Sequence, residues 1–596
     1  MTYFVLNGTS TANQIVAHSA IVADDIVLAD RNCHKSLNYA LAITDAIPVY
    51  LHPSRNGYGI IGPIPASALE PEAIAESIAS HPLASVAADR APVYAVVTNS
   101  TYGPTLYATQ STHKLLAAFS QASMIHIRTS DRAPVEPARF NEAYMMHAST
   151  SPFYPMIAVL DVAAAMMDGP GGTTLTADSI REAIDFRKRL ISLAQAINER
   201  DGAAGWFFGA WQPELVRDPT SGIEYPFTDA PDELLASEPA CWALETEAPW
   251  HGFGALRDRF CMLDPIKVTI TMPGMDASGA FAQRGIPAQI VMLFLDEQRI
   301  EIEKTGDYIM LVLFSIGMTK GKWETLLDGL LAFKRAYDQN TPLHDGLPKL
   351  AAAHPDRYGT LGLADLCDDM HGALRTSRMP ALLDSAFDVL PEVKLTPADT
   401  YRRLVRGRTE RLSLADMAGR TATVMVVPYP PGIPILMPGE SSGAADGPLL
   451  EYLFALEAFD KRFPGFEHDI RWCRTRHQRE LRDRMPSAGR VTHSIQRVAP
   501  VRAQAITRDR RREPHRYERR RTANHLVGFA RSSPQLDFPV LPKPRSLASG
   551  TTQSCHFSLT RHPHTSSFQA ETANAPTTTQ IRRSHVKSDR FVRRDP

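Results

Sequence analysis

The first 185 residues predict an α/β fold with a mostly parallel sheet. Three observations carry this. The apolar runs IVLA (26–29), PVYL (48–51) and VYAVV (93–97) are rich in β-formers. Each is short and alternates with stretches of helical character. Each also ends in polar residues or glycine. Buried parallel strands read this way, and their C-terminal loops carry function in α/β folds.

A second zone, 186–470, reads as α+β. Residues 180–196 have helical periodicity with charge on one side, and 323–337 read as a helix. Residues 268–272, 290–295 and 310–314 read as strands. PYPPGIP (428–434) cannot be helical, because proline removes donors and sets φ.

The third zone, 471–596, differs in kind. It holds 25 Arg and 2 Lys against 9 acidic residues, whereas residues 1–470 hold 37 basic and 56 acidic ones. The chain's net charge of −1 therefore conceals a large asymmetry. Apolar periodicity stops after Ile470, so the tail reads as disordered. A basic nucleic-acid-binding tail is the other reading, disfavoured because aromatic stacking platforms are sparse.

No apolar run reaches about 18 residues, which argues against a membrane span. The start lacks a basic region and apolar core of the kind that makes a signal peptide. Six scattered cysteines show no zinc or CxxC spacing and suit a cytoplasmic setting. Internal repeats are absent.

Three stretches hold candidate chemistry. In NGTSTAN (7–13) a glycine and hydroxyls precede an apolar helical run. Helix-start amides with Thr9 and Ser10 would cradle a phosphate, and a plain capped helix start reads the same way. DRNCHKS (30–36) follows a strand, so His34 lies where α/β sites form. It could stack on an aromatic cofactor or move protons, or be structural. In STHK (111–114), Ser111 and His113 flank Lys114. A neutral lysine amine forms a Schiff base with an aldehyde cofactor, and pyridoxal phosphate also needs a phosphate cradle, a stacking group and a carboxylate at its ring nitrogen.

These stretches resemble the bacterial Orn/Lys/Arg decarboxylases, pyridoxal-phosphate enzymes of the aspartate aminotransferase fold. The similar text includes NGTSTAN, DRNCHKS, VVTNSTY, ATQSTHKLLAAFSQASMIH, EKTGDY, LFSIGMTKGK, PYPPGIPILMPGE and FPGFEHDI, in the family's order, across nearly all of 1–470. The resemblance implies an incomplete transferase-like major domain (1–185), a C-terminal decarboxylase domain (186–470) and an unrelated tail (471–596). By it, Lys114 matches the Schiff-base lysine and His34 the ring-stacking histidine. Thr9, Ser10, Ser111 and His113 match phosphate and lysine-flanking positions. Glu303 matches a glutamate near the substrate's distal amine, where a carboxylate would meet an ammonium; a surface strand residue is the other reading. The implied reaction converts a basic amino acid, lysine before arginine and ornithine, to its amine and CO2. It consumes a proton, as in polyamine metabolism and acid resistance. A homodimer is implied; nucleic acid and membrane partners are not.

Three departures from the family are expected. The family's wing domain and the opening of its major domain have no counterpart before Tyr3. Between TNSTY and STHK only residues 103–110 remain, where the family has a helix, a strand with an aspartate for the pyridine nitrogen, and a loop. The internal deletion falls near 102–104, and residues 102–130 contain no Asp or Glu. After Ile470 the arginine-rich text reads as translation in a shifted frame.

Overall fold

The computed structural model describes residues 1–87, 92–96, 105–131, 133–202, 205–257, 261–410, 412–429, 432–468 and 470. All of these fall in one compact unit. The expected deletion point, all of TNSTY and the basic tail lie outside the described residues.

The chain opens with β1 (Thr2–Val5), α1 (Gly8–Ala20), β2 (Ile26–Asp30), α2 (Lys35–Thr44) and β3 (Ile47–Leu51). Then come α3 (Pro71–Ser80), β4 (Tyr94–Val96), β5 (Leu106–Gln110), α4 (Thr112–Leu115) and β6 (Ser123–Arg128). Strands β3, β2 and β4 pair in that order, all parallel. β2 and β3 are buried at all five positions, which is why they read as continuous apolar runs. β1, β6 and β5 form a separate antiparallel sheet. Helix α1 packs against α2 and against β6, so it bridges the two sheets.

Beyond these lie α5 (Pro137–His147), α6 (Tyr154–Met167) and the 33-residue α7 (Gly169–Asp201). The division expected at 185/186 falls inside α7, so the backbone has no break there. Next are β7 (Gly209–Ala210), β8 (Leu215–Arg217), β9 (Glu224–Pro226), α8 (Asp232–Ser237), β10 (Lys267–Thr271), α9 (Ala288–Glu297), β11 (Lys304–Thr305), β12 (Ile309–Leu313) and α10 (Lys320–Asp338). Strands β11, β12, β10 and β7 make an antiparallel sheet. Phe186, Leu190, Phe314 and Phe333 are fully buried in the core beside it. Each such side chain contributes about 1.5–3 kcal/mol of burial energy.

One expected strand is a helix. Residues 290–295 lie within α9, whose buried positions Ala288, Gln289, Ile290, Val291, Phe294 and Leu295 recur at helical spacing. A six-residue apolar run does not separate a buried strand from a buried helix. Pro287 at the N-cap and the ten-residue length decide for the helix.

The C-terminal part adds α11 (Leu343–Gly346), α12 (Pro348–Ala353), α13 (Pro355–Tyr358), α14 (Leu363–Ser377), α15 (Met379–Asp388), α16 (Pro397–Val405) and α17 (Pro448–Arg462). It is tied to β2 by a buried ion pair. Arg31 and Glu440, 409 residues apart in sequence, are both about 2% exposed and pair through two hydrogen bonds, one of them 2.8 Å. Arg31 Nη2 also donates to the Ile435 carbonyl at 3.1 Å, and the Met437 N–H donates to Glu440 Oε2 at 2.7 Å. The guanidinium lies 4.9 Å from the Tyr50 ring centroid. Burial opposes the Arg31 charge, and Glu440 outweighs it, so proton affinity is raised.

Removing one partner leaves the other charge buried and unpaired. Glu440→Ala is therefore expected to lower stability by about 3–5 kcal/mol. The double change Arg31→Met with Glu440→Leu should lie closer to wild type than either single change; urea denaturation reads both.

Burial also holds His52, His81 and His371 below the ordinary 6.5. The unfolded chain takes up protons on these side chains before the native state does. Their contribution is complete above about 6.5 and is lost as pH falls through the lower native values. Thermal unfolding between pH 7.5 and 5 should show a falling Tm, and substituting His52 and His81 with glutamine should flatten the slope.

Candidate active site

The site begins where β1 turns into α1. Gly8 adopts φ +79°, a left-handed conformation that glycine takes without strain. Its N–H donates to the Gln121 carbonyl at 2.8 Å, which holds the start of α1 against the loop after α4. Thr9 and Ser10 stand in the first helical turn, Ser10 exposed. Thr9 Oγ1 lies 2.5 Å from Ser111 Oγ, so two hydroxyls predicted from separate motifs share a hydrogen bond.

His34 is placed by the β2–α2 turn. The Arg31 N–H donates to the Leu51 carbonyl at 2.9 Å, and the Cys33 N–H to the Asp30 carbonyl at 2.8 Å. The Asn32 N–H donates to Asp30 Oδ1 at 2.8 Å. With the Arg31–Glu440 pair, these bonds leave the turn little freedom. Burial, reinforced by the charge of Asp30, pushes the Cys33 thiol up to about 12, so it is not a nucleophile. His34 is the N-cap of α2, its Nδ1 accepting the Ser36 N–H at 3.3 Å. The residue stays exposed, and partial desolvation, then Lys114, then Lys35 lower its proton affinity. Lys114 is thus close enough for its charge to act on His34.

Lys114 itself is exposed, on the one-turn α4 that follows β5. The His113 N–H donates to the Ala122 carbonyl at 3.3 Å, and His113 Nδ1 lies 2.8 Å from the same oxygen. A carbonyl only accepts, so Nδ1 carries a proton. Neutral His113 then offers Nε2 as an acceptor alone, and it donates to a phosphate only as imidazolium.

A chain of hydrogen bonds joins these pieces. Thr109 Oγ1 donates to Asn13 Oδ1 at 2.7 Å, Asn13 Nδ2 donates to Ser36 Oγ at 2.8 Å, and Ser36 Oγ lies 2.8 Å from His34 Nδ1. Asn13 and Ser36 are buried, and sequence reasoning did not single them out. The available signal was an asparagine between Ala12 and Ile15 on the buried face of α1. Glu303 stands apart. It is exposed just before β11, and among the described residues no hydrogen bond or ion pair joins it to His34 or Lys114.

The donors present suit pyridoxal phosphate at its aldehyde and phosphate ends: one lysine amine, a Thr9–Ser111 hydroxyl pair and the amino end of α1. For the ring nitrogen no carboxylate stands out: among the described residues the charges acting on His34 are both cationic.

Comparison with known proteins bears on this arrangement. The family described as Orn/Lys/Arg decarboxylase, major domain, matches residues 1–107 and 103–322. Its C-terminal domain matches 380–483. The two major-domain stretches meet at the shortened interval before Ser111. Lysine decarboxylase LdcA of Pseudomonas aeruginosa is 44% identical over 79% of this chain and 66% of its own length. Biodegradative arginine decarboxylase of Escherichia coli is 40% identical over 78% of this chain and 68% of its own. The solved structure of lysine decarboxylase A from Pseudomonas aeruginosa superposes with a TM-score of 0.69 at 42% identity, covering 79% of this chain and 67% of that one. The chain spans about two thirds of the length of the curated relatives it matches. It belongs to the Orn/Lys/Arg decarboxylase family.

Proposed function

We propose that this chain binds pyridoxal phosphate and decarboxylates a basic amino acid, lysine in preference to arginine and ornithine, at a rate limited by an incomplete ring-nitrogen contact. The observation that carries the reading is the Thr9–Ser111 hydrogen bond, which brings the start of α1 to the turn that bears Lys114, whose charge acts on His34. Lysine is favoured because the lysine enzyme is the more similar of the two relatives compared.

When bound, pyridoxal phosphate supplies an aldehyde carbon for the substrate amine and a ring that takes up the electron pair left as CO2 departs. Lys114 Nζ would hold the aldehyde carbon and, when free, would be placed to hold a proton at Cα. Thr9, Ser10, Ser111 and the first-turn amides of α1 hold the phosphate, with the positive end of α1 favouring its charge. His34 supplies a ring face. Glu303 would meet the substrate's distal ammonium only in an arrangement that brings it toward Lys114. The Cα–carboxylate bond breaks and a proton is added at Cα, so one proton is consumed per turnover.

An electron-accepting ring needs its nitrogen protonated, and a nearby carboxylate favours that state. Residues 102–130 hold none, and among the described residues the charges acting on His34 are cationic. Losing one preorganised electrostatic partner typically reduces kcat by about 10²–10³. The same fact favours a second reading, a cofactor-binding remnant without turnover.

We also infer a homodimer. Leu115, Phe119, Phe153, Tyr154, Val162 and Met166 are exposed apolar side chains near α4 and along α6. Such a surface marks an interaction site. A cytoplasmic setting accords with the four free cysteines among the described residues, where no helix is long and apolar enough to cross a membrane. The basic tail could bind nucleic acid, the least supported reading.

Purified full-length chain with added cofactor should show a visible absorption band that is lost in Lys114→Ala. It should release CO2 from lysine faster than from arginine or ornithine, at about 10²–10³ below the Pseudomonas relative. A band without CO2 release supports the remnant reading, and no band refutes both. Light scattering should give twice the 65.8 kDa chain mass, and Phe119→Asp with Val162→Asp should shift it toward the monomer.

A further inference from the structure

We infer that Ser36 and Asn13 are positioning residues that hold His34 as a neutral imidazole with its proton on Nε2. The inference follows from one donor that cannot turn round. The backbone N–H of Ser36 points at His34 Nδ1, 3.3 Å away, as the N-cap bond of α2. A backbone N–H only donates, so Nδ1 accepts and carries no proton.

The rest of the chain of bonds is then determined. Ser36 Oγ, 2.8 Å from the same Nδ1, must donate its single proton there. Having done so, it accepts from Asn13, whose Nδ2 stands 2.8 Å away. The amide end of Asn13 thus faces Ser36, and its carbonyl end faces Thr109, whose hydroxyl donates at 2.7 Å. A flipped Asn13 would need Ser36 to donate to it instead. Nδ1 would then face Ser36 Oγ with a lone pair opposite a lone pair. Burial of Asn13 and Ser36, 6% and 2% exposed, keeps water from substituting for either.

The surroundings favour the neutral ring. The start of α2 is the positive end of a helix, which disfavours an imidazolium at its cap. The charged groups acting on the ring are Lys114 from α4 and Lys35 from α2, both cationic. Helix α1 presents the uncharged Asn13. The Asp45–Arg402 pair with α16 lies at the opposite end of α2. Protonating Nδ1 would break both bonds from Ser36 and remove the helix cap together.

For the proposed reaction, an uncharged ring beside Lys114 would leave its face free to stack on the cofactor ring and would offer an Nε2–H donor. That consequence rests on the decarboxylase reading, whereas the tautomer does not.

The test is nuclear magnetic resonance on the cofactor-free full chain, selectively 15N-labelled at histidine. Two-bond proton–nitrogen correlations distinguish the two neutral tautomers and the imidazolium, and the His34 signal is assigned by its absence in His34→Gln. The expected wild-type pattern at neutral pH is Nε2–H, persisting to lower pH than the signals of histidines in the unfolded chain. Ser36→Ala should raise the His34 protonation constant by up to about tenfold, the worth of one neutral hydrogen bond. It should also mix the tautomers, while Ser36→Thr keeps the wild-type pattern. An Nδ1–H pattern or an imidazolium in the wild-type chain at neutral pH overturns the inference, whether or not any variant folds. So does a folded Ser36→Ala chain whose His34 tautomer and titration match wild type. An Nε2–H pattern in a chain that releases no CO2 supports the inference and removes only the catalytic reading.

Discussion

The Arg31–Glu440 pair is the contact on which the site depends. It joins the end of a central parallel strand to a segment 409 residues later, and both charges are out of water. Such a pair is stable only when its remaining donors and acceptors are used. Here the Ile435 carbonyl and the Met437 N–H use them, and the Tyr50 ring covers the guanidinium. The consequence reaches three residues further, to His34. The turn from Asp30 to His34 is held on one side by β3, through the Leu51 carbonyl, and on the other by the C-terminal segment. Neither sheet nor helix alone would fix the histidine.

The electrostatics of the site follow from what converges on it. Two lysines, a histidine cap and the amino ends of α1 and α2 meet with hydroxyls from Thr9, Ser36, Thr109 and Ser111. A site of this sign receives an anion readily and gives little support to a second cation. It fits the phosphate end of the proposed cofactor better than its ring nitrogen. Burial of Asn13 and Ser36 adds rigidity, because a buried polar group must keep its partners. The same hydrogen bonds that order His34 therefore also bind α1 to α2.

Much of this was readable along the chain. The runs at 26–29 and 48–51 proclaimed buried strands because both faces of β2 and β3 are covered, so no polar alternation interrupts them. The helices at 180–196 and 323–337 were readable because α7 and α10 each keep a polar face. Residues 290–295 misled for the opposite reason: α9 is covered on most sides, and its helical period is masked by apolar neighbours at Met292 and Leu293. Asn13 went unnoticed because its motif drew attention to hydroxyls, and its partners Ser36 and Thr109 are 23 and 96 residues away.

Local order was enough to set most strands and helix starts, which depend on burial patterns and spacing within a few residues; Lys114, His34, Thr9 and Ser111 were singled out as candidates by the resemblance of their motifs to the family. Pairing Arg31 with Glu440, Thr9 with Ser111 and Asn13 with Ser36 was decided only by the folded chain. Side-chain hydrogen bonds between distant segments leave no periodic trace, since any buried polar residue can in principle meet any other. The direction of the proton on His34 lies further still from the sequence, because it is set by a single backbone N–H at a helix cap.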